Sequence, residues 1–135
     1  MIGTTLVVKD RTFELDAYIG RGSFGHVYRA VHRPTMDYVA VKVLPNNASP
    51  DSNKALRNEI QLSDKVRHPN VVSVLGINLD PEHALGPYIA MEYVDGGTLQ
   101  KKLNDCRNSG QLIPLDYAGQ IMLQIAQGAK AIMNI

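Results

Sequence analysis

A glycine-rich segment near the N-terminus constrains the fold more than any other part of the chain. Residues 19–27 read I-G-R-G-S-F-G-H-V, with glycine at positions 20, 22 and 25. In a dinucleotide-binding fold, the third glycine of this spacing opens a helix. Here Gly25 is followed by His-Val-Tyr-Arg-Ala-Val, which is rich in β-forming residues and has no helix start. The pattern therefore predicts the turn of a β-hairpin and disfavours a dinucleotide oxidoreductase.

The residue types of this segment suit a loop that covers phosphate groups. Glycines lack a Cβ atom, so their backbone N–H groups can approach phosphate oxygens closely. Ser23 and Phe24 are then expected at the tip of the hairpin. One strand later the chain reads V-A-V-K, from Val39 to Lys42. Lys42 ends a run predicted to be a buried strand, where an ammonium group needs an anionic partner. The alternative is a lysine that extends into solvent at a strand edge, which the nearby glycine loop disfavours.

The rest of the chain predicts a sheet, a helix beside it and two further helices. Ser49 and Pro50 are typical of a helix start, and Leu56 and Ile60 follow on one face. Another short helix is expected after Thr98, and apolar residues recur at helical spacing from position 114 onward. That last stripe requires a large packing partner. Strands are predicted at about residues 11–19, 25–32, 38–44, 71–79 and 87–93.

In this order, the segments resemble the small lobe of a eukaryotic-type (Hanks-type) protein kinase with the beginning of the large lobe attached. The residues that carry the resemblance are Gly20, Gly22, Gly25, Val27, Ala40, Lys42 and Glu59. The resemblance implies an α+β fold, with a small lobe of five antiparallel strands and one helix, followed by a truncated helical large lobe. Residues 1–94 would form the small lobe and hinge, and residues 95–135 the start of the large lobe.

The resemblance also implies an ATP site. In kinases the glycine-rich hairpin covers the phosphates, a strand lysine reaches them, and a helix glutamate pairs with that lysine. Lys42 and Glu59 take these two catalytic roles; the alternative for Glu59 is a solvated charge on an amphipathic helix. Val27 and Ala40 would form an apolar roof over the purine. The implied nucleotide contacts are Ile19, Gly20, Gly22, Ser23, Phe24, Gly25, Val27, Ala40, Lys42, Met91, Glu92, Val94, Thr98 and Leu99.

The segment P-Y-I-A-M-E-Y-V-D-G-G-T-L at residues 87–99 resembles the fifth kinase strand, the hinge and the start of the next helix. Met91 would be the gatekeeper at the back of the adenine pocket. The carbonyl of Glu92 would accept from the adenine amino group, and the backbone N–H of Val94 would donate to a ring nitrogen. Thr98 would lie near the ribose and Leu99 beneath adenine. This segment is also similar to that of Ser/Thr-directed bacterial kinases.

The implied activity is transfer of the ATP γ-phosphate to Ser or Thr of a protein substrate by a full-length parent. Such chemistry needs an aspartate at the substrate hydroxyl, together with an asparagine and the aspartate of D-F-G for Mg²⁺. Neither H-R-D nor D-F-G occurs in these 135 residues. We therefore expect no metal ligand here, Mg²⁺ held by residues outside this chain, and an N-terminal fragment that is inactive alone. The alternative is a pseudokinase-like binding or scaffold module.

Composition limits the partners and the location that we expect. The net charge of +1, with 20% charged residues, disfavours a nucleic-acid surface. The 135 residues contain no run of about eighteen apolar residues, so we expect no membrane span in them. They also do not begin with a charged and then apolar leader, so we expect no signal peptide. Cys106 is the single cysteine and cannot form an internal disulfide, and no Cys/His cluster has metal-ligand spacing. We therefore expect a cytoplasmic protein.

Overall fold

The computed structural model describes residues 1–22, 25–44, 54, 58, 61 and 65–133. Glu59 and the tip residues Ser23 and Phe24 therefore lie outside the described residues. The chain divides into two compact units, the first Met1–Lys65 with Val72–Tyr93 and the second Val66–Val71 with Val94–Ile135. The division into a small lobe of residues 1–94 and a large-lobe start at residue 95 stays a prediction.

The first unit contains one antiparallel sheet, and the α+β fold class is confirmed. Its strands are β1 (Thr5–Val8), β2 (Arg11–Gly22), β3 (Gly25–His32), β4 (Asp37–Val43), β5 (Val74–Asn78) and β6 (Tyr88–Glu92). They lie in the order β1-β2-β3-β4-β6-β5. Strands β2 to β6 match the five predicted ones, with ends that move by up to three residues.

Strand β1 is an addition to the predicted five. It pairs with β2 through a two-residue turn at Lys9 and Asp10, whose φ angles are 49° and 65°. Two successive positive φ angles are the hallmark of a type I′ hairpin, which usually carries asparagine or glycine at these positions. The Lys-Asp sequence therefore does not indicate the turn. Leu6 and Val8 alternate with exposed residues and are buried in the core.

The core of the first unit lies on one face of this sheet. On β4 the alternate residues Val39, Val41 and Val43 point into it, because successive strand residues point to opposite faces. Leu15 is fully buried there, which stabilises the fold by about 1.5–3 kcal/mol relative to exposure. Other strands contribute Leu6, Val8, Phe13, Ala30, Tyr88 and Ala90. The opposite face of β4 consequently carries Ala40 and Lys42.

The second unit contains the helices α1 (Leu99–Asn108) and α2 (Leu115–Met133), so the predicted helix after position 114 is present. Gly128 of α2 is buried, and a Cβ there would lie 3.0 Å from the carbonyl oxygen of Asn70. The Asn70 side-chain amide donates to the carbonyl of Gln124 at 3.0 Å, which holds the two segments together. Much of the apolar stripe is exposed, including Leu115, Met122, Leu123, Ile125 and Ile132. None of the helices in the described ranges is both long and apolar enough to span a membrane.

Candidate functional site

The glycine-rich segment forms the predicted hairpin turn between β2 and β3. Gly22 and Gly25 are the last paired residues before the tip. Gly25 has φ of +148°, a conformation that L-residues with a side chain rarely adopt. A Cβ at this position would lie 2.0 Å from the carbonyl oxygen of Val43. Only glycine therefore allows the hairpin to approach the end of β4 this closely.

The side chain of Lys42 lies against the backbone of this hairpin at Gly22. A Cβ at Gly22 would be 3.3 Å from both Cε and Nζ of Lys42. At Gly20, in contrast, a Cβ would have no heavy atom within 4 Å. An ammonium group next to a glycine backbone is chemically suited to phosphate oxygens, which accept hydrogen bonds from both. These residues therefore fit the phosphate groups that the sequence predicts.

The strand register places three predicted nucleotide contacts, Val27, Ala40 and Met91, on the face of the sheet that carries Lys42. Val27 lies opposite Lys42, and Lys42 lies opposite Ile89. In the next row, Ala40 lies opposite Met91. Residues two apart in a strand share a face, so both rows belong to the face that carries Lys42. The hairpin glycine Gly22 borders the same group.

The apolar members of this face are largely covered. Ala40 is 8% exposed, whereas Val27 is half-buried. Met91 is half-buried and packs against the cluster formed by Leu44 and Ile89. The face therefore places apolar side chains on both sides of Lys42, and a nucleotide site needs both apolar surface and a cation.

Glu92, at the end of β6, is fixed through Ser73. Its backbone N–H donates to the carbonyl of Ser73 at 2.9 Å. Its carboxylate accepts from the backbone N–H of Ser73 at 3.2 Å. These two hydrogen bonds define where the backbone leaves β6.

The remaining predicted contacts are more exposed or belong to the second unit. Ile19 in β2 is 52% exposed. Val94, Thr98 and Leu99 all lie in the second unit. The Thr98 hydroxyl accepts from the backbone N–H of Lys101 at 3.1 Å and so caps α1. A threonine just before a helix is a common N-cap, a local role that the ribose assignment of Thr98 overlooked.

Sequence reasoning missed a charged group beside this face. Arg29 donates from Nε and Nη2 to the two carboxylate oxygens of Asp16, at 2.9 Å and 2.8 Å. The hydrogen bonds to Asp16 raise the pKa of Arg29 above its ordinary value. Arg29 lies opposite Ala40 in the register. Arg29 follows Val27 by two residues in β3, so strand periodicity alone could have placed it on the face that carries Lys42.

No three His, Cys, Asp or Glu side chains in the described part of the chain come together as a metal site would require.

Comparison with known proteins identifies relatives of the whole arrangement. The family described as "Protein kinase domain" matches residues 13–134. Serine/threonine-protein kinase Aurora-1 of Arabidopsis thaliana is 34% identical over 97 residues, which cover 70% of this chain and 32% of that protein. Receptor-like kinase LIP1 of the same organism is 33% identical over 124 residues, covering 92% of this chain and 18% of that protein.

The fold has solved counterparts. The PknI kinase domain of Mycobacterium tuberculosis superposes with a TM-score of 0.71 at 19% identity, covering 98% of this chain and 51% of that domain. The chain thus spans about half of that solved domain and a smaller share of the two plant proteins.

Proposed function

Because this chain belongs to the protein kinase family, we propose that it forms the ATP-binding part of an enzyme that phosphorylates Ser or Thr in proteins. The observation that carries the proposal is the position of Lys42, whose ammonium lies against Gly22 at the glycine-rich hairpin. The names of Aurora-1 and other relatives as serine/threonine-protein kinases support the choice of substrate class.

In this proposal, Lys42 donates to phosphate oxygens of ATP while the hairpin backbone lies over them. Val27 and Ala40 contact the purine on the same face of the sheet. Met91 sets the depth of the adenine pocket, because it lies opposite Ala40. Bringing charged oxygens to fixed donors, in place of mobile water, stabilises the charge that moves during phosphoryl transfer.

Other predicted contributions remain proposals. Glu59 would pair with Lys42 and hold its ammonium in place, as the family resemblance implies. Glu92 and Val94 would bind adenine through their backbone, with Thr98 near the ribose and Leu99 beneath the ring. When bound with ATP, Mg²⁺ neutralises phosphate charge, and in this family it is held by motifs that the 135 residues do not contain. A cytoplasmic location stays a sequence-based prediction.

Phosphotransfer by a protein that contains this chain and the downstream kinase motifs tests the proposal. We expect transfer of labelled γ-phosphate from ATP to serine or threonine of a generic protein substrate, with the label recovered on those amino acids. Lys42→Met should abolish most of the transfer without a comparable loss of thermal stability, because methionine retains the apolar stem.

The matched control is Lys101→Met, which removes an exposed lysine from α1. It should transfer phosphate at the parent rate. Equal rates in the parent and in Lys42→Met would contradict the proposed function.

A further inference from the structure

Four side chains form a continuous group beside the predicted adenine contacts, and we name this group the arginine–tyrosine cluster: Asp16, Arg29, Tyr38 and Tyr93. Arg29 makes the two-pronged ion pair with Asp16. Its guanidinium carbon also lies 4.6 Å from the centre of the Tyr38 ring. The Tyr38 ring contacts that of Tyr93, with the ring centres 6.0 Å apart and tilted by 43°. The cluster therefore connects β2 to the residue that follows β6.

The strand register explains why these side chains meet. Val39 pairs with Glu92, so Tyr38 and Tyr93 are the next residues beyond the end of that pairing. Arg29 lies opposite Ala40, two residues from Tyr38 on the same face of β4. A register irregularity between Leu15 and Ala17 leaves Asp16 outside the regular ladder with β3. Such bulges redirect a side chain, here toward Arg29.

The ion pair gives the cluster a fixed centre. The side chain of Asp16 is 16% exposed and that of Arg29 is 33% exposed, so water screens this pair less than the exposed pairs elsewhere on the sheet. A planar guanidinium that makes bidentate hydrogen bonds to a carboxylate has little freedom to leave the ring on which it stacks. Tyr93 is thus contacted from one side by the Tyr38 ring, which Arg29 in turn holds in place.

We propose that Arg29 and Tyr38 are positioning residues, which hold Tyr93 and thereby set the backbone at Glu92 for recognition of an adenine base. The Glu92–Ser73 hydrogen bonds hold the same strand end from its other side, through the residue that precedes β5. This inference rests on the proposed function, since it assigns the adenine contact to Glu92. Neither residue touches the nucleotide in this account; each acts through Tyr93.

The effect of losing the cluster should appear at the adenine end of the ligand alone. Arg29→Met removes the ion pair and the stacked cation and retains an unbranched apolar side chain. Adenosine and ATP should both bind about tenfold more weakly, because they share the base that the displaced backbone recognises. A residue acting on phosphates would change ATP affinity and leave adenosine unaffected.

The experiment measures adenosine and ATP affinity by calorimetry, and amide hydrogen exchange at residues 92–94 without ligand. The matched control is Arg33→Met, which removes an arginine in the turn after β3 that pairs with Glu14 and has no ring stacking recorded among the described residues. A second pair compares Tyr38→Ala with Tyr38→Phe, since phenylalanine keeps the ring. Tyr38 is 36% exposed, so Tyr38→Ala should fold even where Arg29→Met does not.

We expect Arg29→Met and Tyr38→Ala to weaken both ligands about tenfold and to speed exchange at residues 92–94, with Arg33→Met and Tyr38→Phe within about twofold of the parent. Parent-like affinity and exchange in both Arg29→Met and Tyr38→Ala would overturn the inference while leaving the proposed function intact. Equal losses in Arg33→Met would overturn it too, because the effect would then be a general one. A parent chain that binds neither ligand would instead overturn the proposed function. Unchanged hydrogen exchange at residues 92–94 in Arg29→Met and Tyr38→Ala would by itself overturn the positioning role of the cluster.

Discussion

The three glycines of the hairpin between β2 and β3 differ in what surrounds them. Gly25 combines a positive φ with a backbone approach that leaves no space for a side chain. A Cβ at Gly22 would lie 3.3 Å from Cε and Nζ of Lys42, so a side chain there would have to displace the flexible end of that lysine. Gly20 has open space around it. The fold therefore requires glycine at position 25, whereas the surroundings of Gly20 allow a side chain.

We predict that the fold tolerates alanine at position 20 but not at position 25. Gly25→Ala should lower the free energy of unfolding by at least about 1–3 kcal/mol, because alanine is strained at this φ and would collide with Val43. Gly20→Ala should stay within about 0.5 kcal/mol of the parent. Chemical denaturation of both variants measures the difference. Similar stability of Gly25→Ala and the parent would show that the hairpin differs from the one described.

At this scale the sequence predicted part of the candidate site. Lys42, Val27, Ala40 and Met91 share one region of the sheet, as their motif spacing indicates, whereas their roles toward a nucleotide remain proposals. Arg29 was missed, since its importance depends on Asp16, which reaches it through an irregularity in β2. No residue type or spacing in the sequence predicts that irregularity.

Elements of the fold are joined by ion pairs as well as by the core. Arg11 at the start of β2 donates to Asp37 at the start of β4, at 2.6 Å, and the Thr35 hydroxyl donates to the same carboxylate oxygen at 2.8 Å. The hydrogen bond from Arg11 is the main reason that the pKa of Asp37 lies below its ordinary value, and the hydrogen bond from Thr35 lowers that pKa further. The ionised carboxylate is therefore favoured in the folded state.

This pair predicts a pH-dependent contribution to stability. A carboxylate whose pKa is lowered by folding stabilises the fold above its unfolded pKa of about 3.9, and the contribution is lost as the pH falls through the lowered folded value. Thermal midpoints of the parent and of Asp37→Asn should thus differ slightly at pH 7 and converge as the pH falls below about 4. A difference that stays constant down to pH 2 would contradict the assignment.

Helix α2 offers a matched pair of glycines. Gly128→Ala would place a Cβ 3.0 Å from the Asn70 carbonyl oxygen, so we expect a loss of about 1–3 kcal/mol through overpacking. Gly119 has no heavy atom within 4 Å of its Cβ position, and Gly119→Ala should gain up to about 1 kcal/mol from helix propensity. Denaturation curves of the two variants should therefore shift in opposite directions. Two stabilising shifts would mean that Asn70 does not pack on α2 as described.

Most elements were predictable because their periodicity is strong. Val39, Val41 and Val43 alternate toward the core, and α2 repeats its apolar residues at helical spacing. β1 was not predicted, because the Lys9-Asp10 turn lacks the residues that usually mark a type I′ hairpin. The close packing of Gly128 could not be predicted either, because it depends on Asn70, which is 58 positions away in sequence.

At the scale of the whole molecule, the two faces of the sheet in the first unit differ in their chemistry. One face of the sheet holds the apolar core around Leu15 and Val41. The other combines covered apolar residues with the Lys42 ammonium beside the hairpin backbone. In a kinase-family chain that spans about half of a solved kinase domain, we propose this second face as the first unit's part of the nucleotide site.

The most direct test compares ATP and adenosine binding to the parent chain and to Lys42→Met by calorimetry. Since hydrogen bonds to charged groups contribute about 1.5–3 kcal/mol, ATP affinity should fall about 10- to 100-fold. Adenosine lacks phosphates, so its affinity should stay within about twofold. ATP affinity that is unchanged by Lys42→Met, or lost to the same extent as adenosine affinity, would contradict the placement of Lys42 at the phosphates.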